Sequence, residues 1–349
     1  MKAKVAENIE SEYLMMKKIA EAISTPIVDA RYNHIIYHYT DVAGLLGILR
    51  SEAIVLWFSR FDCLNDKNEG QDIVEQFKIV CGKLITDSEL DKKLLKSIME
   101  CLPNNNAVIS YDHKDTNIEP IKNNEDLFSR PPIAKIGTFE TEVFTCCFSS
   151  RNDLLPMWNN YSNGNAYLGY SIGFDSSIFN SNERYAYNSE GSRLDGYGMI
   201  IAKVIYSDEE KTNILCERIK NIFDYANKNG LGIEDIKKYI ILMLNSLRFI
   251  FKKAVFCHEE EIRIIFNRPK QRIEKELDER RMPRIEYRSK RGIIIPYIEV
   301  FMKNCDYGVE SVTIGPLFER GTAMQTVKDF LDNRKYRVDV IESSVPIRY

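Results

Sequence analysis

Strand-like and helical segments follow one another in this chain in an irregular order, and that order is the strongest constraint on its fold. Runs rich in β-branched and aromatic residues lie at 34–40, 54–59 (IVLWFS), 142–149 (EVFTCCFS), 166–174 (AYLGYSIGF) and 199–206 (MIIAKVIY). Others lie at 256–266, near 293–300, at 309–314 and at 336–342. Helical patterns cover 41–51, 209–228, 233–253 and 319–332, and two charged helices fall between Asn68 and Leu102. A doubly wound fold requires regular strand–helix alternation. Its absence predicts an α+β fold with largely antiparallel sheets. Neither G-x-G-x-x-G nor G-x-x-x-x-G-K-[ST] occurs, so the standard dinucleotide and phosphate loops are excluded.

Residues 4–23 predict an amphipathic helix within an N-terminal extension, 1–30, that packs on the core or binds a partner. Residues 31–349 are expected to form one domain. A stretch rich in Asn, Asp and Pro, about 103–137, reads as an inserted loop region. The net charge of −3 over 349 residues gives no global pull towards nucleic acid or anionic membranes. No apolar run approaches the roughly 20 residues needed to span a bilayer. Eight cysteines without a C-x-x-C pair, and no signal peptide, predict reduced thiols in a cytoplasmic protein. Paired Cys and His spacing for structural zinc is lacking.

The stretch IIYHYTDVAGLLGILRSEAI, 35–54, places His38, one of four histidines, where a strand hands over to a helix. Thr40 or Asp41 is the plausible N-cap. Neutral imidazole donates one hydrogen bond and accepts another, which suits a ribose diol. A histidine satisfied by nearby backbone is the plainer reading.

In FCHEEEIRIIF, 256–266, strand alternation puts Glu259, Glu261 and Arg263 on one face. Glu260, Ile262, Ile264 and Phe266 fall on the other. The first face reads either as solvent-facing, with Arg263 pairing its neighbours, or as a cleft wall with two carboxylates about 7 Å apart. Such a pair suits glycosidic chemistry: one stabilises an oxocarbenium-like centre and the other orients the attacking group. Cys257 and His258 are adjacent and would point to opposite faces, which argues against a metal.

In FTCCFSSRNDLLPMWNNY, 144–161, Met157, Trp158 and Tyr161 fall at helical spacing. They read as core packing or as an aromatic wall for a planar ring, with Arg151 near its phosphates. The cluster Asn65, Asp66, Glu69 and Gly70 reads as a turn with an N-cap, or as cleft-shaping groups. Residues 268–291 hold ten Lys or Arg and five Asp or Glu. They form a solvated excursion or a contact for an anionic target such as nucleic acid.

Taken in order, YHYTDVAGLLGIL, FSRFDCLNDKNEG, FTCCFSSRNDLLPMW, LGYSIGFD, FCHEEEIRI, VTIGP and IESSVPIR resemble the bacterial family called domain of unknown function 2971. These blocks are in turn similar to those of ADP-ribosyltransferases, particularly DNA-modifying toxins of the DarT type. That resemblance implies an ADP-ribosyltransferase-like fold with split antiparallel β-sheets and flanking helices. It implies NAD as the small-molecule substrate, with transfer of ADP-ribose to nucleic acid or protein, or hydrolysis of NAD. Glu261 would be the catalytic carboxylate and Glu259 its assistant. His38, Tyr39 and Thr40 would hold a ribose, Ser59 the carboxamide, and Arg151, Trp158, Tyr161 and Arg263 the rest of the dinucleotide site. A toxin or antiviral defence effector fits such an activity. A non-catalytic nucleotide- or partner-binding module with a degenerate pocket is the alternative.

Overall fold

The computed structural model describes residues 34–64, 70, 72–87, 92, 95–96, 141–161, 167–179, 186–194, 199–269, 282–290, 292–303, 308–317 and 321–347. The expected helix at 4–23, the 1–30 extension, the 103–137 insertion and the cluster Asn65, Asp66 and Glu69 lie outside them. The strands are β1 Ile35–Thr40, β2 Ile54–Arg60, β3 Thr141–Ser149, β4 Tyr170–Asp175, β5 Ala186–Tyr187 and β6 Met199–Lys203. They continue as β7 Glu261–Pro269, β8 Ile285–Lys290, β9 Ile293–Met302, β10 Val309–Ile314 and β11 Asp339–Glu342. The helices are α1 Val42–Ile48, α2 Asp72–Asp87, α3 Leu155–Tyr161, α4 Asp208–Asn229, α5 Ile233–Leu247 and α6 Thr322–Asn333. The fold is α+β. All the strand pairs described are antiparallel except β10 with β11, which run parallel.

Strand β3 organises the sheet. One edge pairs with β7 along its whole length, from Thr141↔Pro269 to Ser149↔Glu261. The opposite edge is shared by two strands. β1 meets it at Tyr37↔Ser149, and β2 meets it at Ser59↔Thr145 and Arg60↔Phe144. Cys146, Cys147 and Phe148 therefore have no ladder partner on that edge among the described residues. From this point the sheet divides into two wings. One runs β1–β4–β10–β11 and the other β2–β9, with β5 and β8 on the far edge of β9.

Apolar residues on alternate positions explain the layers. Phe144, Cys146 and Phe148 of β3 join Ile262, Ile264 and Phe266 of β7 in a core that also takes Val327 and Leu331 of α6. A second core lies among α2, α4 and α5, whose Phe77, Ile219 and Ile240 are buried together with Ile265 of the sheet. The expectation for 209–253 changes in one respect. The second helix ends at Leu247, and Phe249–Lys252 run on as turn and extended chain, with Ile205 N and O bonded to Ile250 O and Lys252 N.

The N-cap of α1 is Asp41, whose carboxylate accepts from Gly44 N at 2.7 Å. A Cβ on Gly44 would lie 1.7 Å from Thr40 Oγ1, so a glycine lets the helix start directly on the strand end. Phe148, at 1% exposure, sits at the division of the sheet and touches the rings of His38, Phe174 and Phe179. Phe148→Ala is expected to cost about 3–5 kcal/mol of stability. Urea unfolding should show a lower midpoint with an unchanged slope.

Candidate active site

A cleft of about 520 Å³ opens where β1 and β2 part from the β3 edge. His38, Tyr39, Thr40, Ser59, Tyr161, Glu259 and Glu261 line it. Three other residues expected there do not. Trp158 is 1% exposed, stands edge-on to the Tyr39 ring, and donates Nε1–H to Asp153 Oδ1 at 2.9 Å. It packs behind the wall that Met157 and Tyr161 present. Arg151 is an exposed side chain paired with Glu260 at 3.5 Å. Arg263 is fully buried beneath the cleft.

The acidic segment departs from the alternation expected of a strand. Ala254–Glu259 form a 3-10 turn, Glu260 takes a left-handed conformation at φ 44°, and β7 begins at Glu261. The kink replaces the regular spacing, and both flanking carboxylates converge on Lys252. Its Nζ donates to Glu259 Oε2 at 2.6 Å and to Glu261 Oε2 at 2.9 Å. Arg263 grips Glu261 from the other side, Nε to Oε1 and Nη2 to Oε2, both at 2.9 Å, and gives Nη1–H to Phe249 O at 2.7 Å. The solvent-facing reading is thereby overturned: Glu259 and Glu261 are 6% and 4% exposed. The segment cannot stay a simple outward strand, because its charged face has Lys252 and the Phe249 carbonyl over it. Glu260, expected among the apolar residues, instead accepts from Ser150 Oγ at 2.9 Å.

Burial alone pushes the Glu261 carboxyl up, but Arg263 and Lys252 outweigh it and hold it at about 2. Burial pushes the Tyr161 hydroxyl up, and the two glutamates add to that, which puts the phenol beside them in neutral form. The Cys147 thiol is raised for the same reasons, burial first and Glu261 second, so it is no thiolate nucleophile.

His38 Nδ1 lies 2.9 Å from Cys147 O, on the stretch of β3 that no strand covers. A carbonyl only accepts, so Nδ1 carries the proton. Burial, with Arg288 also opposing protonation, keeps the imidazole below its ordinary value. The neutral ring leaves Nε2 an acceptor with no partner among the described residues. The backbone-satisfied histidine and the ligand-facing histidine are thus one arrangement. Tyr39 is structural at its tip: it donates to Arg151 O at 3.0 Å and accepts from Leu154 N at 2.9 Å, fixing the loop that enters α3.

Sequence reading missed Lys252 and Arg288. Lys252 looked like the polar end of a long apolar helix. Arg288 was one of ten cations in the 268–291 run, yet its Nη2 donates to Ser59 Oγ at 2.7 Å inside the cleft. No cluster of His, Cys, Asp and Glu suited to a metal occurs among the described residues. No described helix is long and apolar enough to cross a membrane.

With this geometry in view, one comparison returns a relation. The model of a family described as "Protein of unknown function (DUF2971)" matches residues 157–264, from α3 through the acidic turn into β7. The matched part carries Tyr161, Lys252, Glu259, Glu261 and Arg263, while His38, Ser59 and Arg288 lie outside it. No curated protein and no solved structure matches the chain.

Lys252→Met should cost about 3–5 kcal/mol at pH 7, because it leaves the buried Glu259 carboxylate without its cation and removes one of the two that hold Glu261; denaturant unfolding measures this. The Glu261 carboxyl falls from its ordinary 4.5 to about 2 on folding. Its stabilising charge is complete above about pH 4.5 and is lost as the pH drops towards 2. The stability gap between wild type and Glu261→Gln should therefore be flat between about pH 7 and 5 and close below that.

Proposed function

We propose that the cleft binds NAD and that the chain breaks its nicotinamide–ribose bond, passing ADP-ribose to an acceptor or to water. The observation that carries this reading is the convergence in one cleft of His38, Tyr161, Glu259 and Glu261, from segments far apart in sequence. Its volume falls within the usual range of small-molecule sites, about 300–1,000 Å³. The chemistry comes from the resemblance to ADP-ribosyltransferases of the DarT type.

In this reading the C1′–N bond breaks and nicotinamide leaves with the electron pair. Glu261 stays ionised at the wall as the ribosyl centre gains positive charge. Glu259 orients the nucleophile and takes its proton, and the new bond forms from C1′ to water or to a group on protein or nucleic acid. His38 Nε2 accepts from a ribose hydroxyl. Thr40 and Ser59 supply further hydroxyls, Tyr39 stands in the wall with its hydroxyl holding the entry to α3, and Trp158 and Arg263 act behind the wall by holding α3 and Glu261. A bacterial toxin or antiviral defence effector is the setting that the resemblance favours.

A second reading has its own observation. Both Glu261 oxygens are already bonded, one to Arg263 and the other to Arg263 and Lys252. A carboxylate so neutralised suits a pocket that binds a nucleotide or a partner without turnover.

Nicotinamide release at saturating NAD separates the two. Glu261→Gln is expected to lower release by about 10²–10³-fold while NAD affinity survives. Equal release from both proteins removes the catalytic role, and NAD bound without release from either selects the binding module. His38→Ala should weaken NAD binding by about 1–3 kcal/mol, read by calorimetry on the folded variant.

A further inference from the structure

We infer that the β8 side of the cleft is an anion subsite in which Arg288 takes a phosphate group of a nucleoside diphosphate. Three other described arginines of β7 and of the loop after β3 are committed to carboxylates. Arg263 is locked to Glu261, Arg151 to Glu260, and Arg268 to Glu142 at 3.0 Å. Arg288 has no carboxylate partner among the described residues. Its side chain reaches from β8 across β9 to β2, and its guanidinium lies 5.5 Å from the Trp57 ring centre and 5.8 Å from that of Tyr297. Those two rings lie tilted against each other, with centroids 4.6 Å apart. Ser59 Oγ accepts one N–H, which fixes the plane of the fork.

A half-buried cation held this firmly without a counter-charge is under-satisfied, and its Nε is enclosed without a hydrogen-bond partner. A second group in the same cleft is also unsatisfied. Thr145 Oγ1 is buried and unpartnered, and Thr145 pairs in register with Ser59, the anchor of Arg288. A planar fork beside a hydroxyl matches the oxygens of a phosphate. The position is consistent with the ligand end that His38 would hold, since Arg288 is close enough to oppose protonation of that imidazole.

This subsite deepens the NAD reading by naming the group that holds the diphosphate. ADP has no nicotinamide bond to break, so ADP binding tests Arg288 whether or not turnover exists. Calorimetric titration of the full chain with ADP and with adenosine, on wild type and Arg288→Gln, is the experiment. Wild type should prefer ADP by about tenfold or more, and Arg288→Gln should lose most of that preference with an unchanged melt. An undiminished preference in folded Arg288→Gln overturns the proposal, as does a wild type that does not distinguish the two ligands. Should Arg288→Gln fail to fold, protection of Arg288 itself from chemical modification decides the matter. Phenylglyoxal modification of Arg288, followed by mass spectrometry, should be slowed by ADP and not by adenosine. Equal modification with both, or none in the free protein, overturns it.

Discussion

Lys252 and Arg263 hold the Glu261 carboxylate between them, and the local chain path follows from that arrangement. An isolated buried carboxylate would cost several kcal/mol and would shed its charge by taking up a proton. Two cations hold it ionised instead, and Glu259 balances the second of them. For Glu259 and Glu261 to reach one ammonium, the backbone must turn between them. Glu260 accordingly adopts a left-handed conformation that a residue with a side chain takes only at some cost. The end of β3 ties the turn down: Ser149 Oγ donates to Glu259 O at 2.8 Å and Ser150 N to Glu260 O at 2.9 Å.

The same end of β3 is where the sheet divides. β1 and β2 share one edge of β3 but diverge, and the uncovered stretch between them becomes the floor of the cleft. Unpaired backbone carbonyls there need donors, and His38 supplies one to Cys147 O. That single bond settles the tautomer and turns Nε2 into an acceptor. Charge network, strand division and histidine therefore form one connected unit.

Much of the architecture was legible in sequence. The irregular order of elements gave the α+β class, and β10 fell at 309–314 as expected. Period-two alternation assigned Ile262, Ile264 and Phe266 to the buried face. The same rule failed at Glu259, because alternation presumes a strand and the Lys252 ion pairs select a turn. Burial of the charged face was not readable either, since Lys252 and Phe249 cover it from an apolar segment that scans as helix to residue 253. Trp158 shows a further limit: helical spacing correctly grouped it with Met157 and Tyr161 but could not say which of them faces the cleft. Arg288 was hidden among like charges, and a β8-to-β2 bond to Ser59, across 229 residues of sequence, leaves no local pattern.

On the proposed reading, a dinucleotide lies in the division between β1 and β2, with a ribose at His38 and the glycosidic bond at Glu261. A crystal structure of the protein with a non-cleavable carbocyclic NAD analogue tests it most directly. Expected is the analogue along the uncovered stretch of β3, with a ribose hydroxyl within hydrogen-bond distance of His38 Nε2 and the nicotinamide end beside Glu261. An analogue bound elsewhere, or a cleft left empty at saturating concentration, would contradict it.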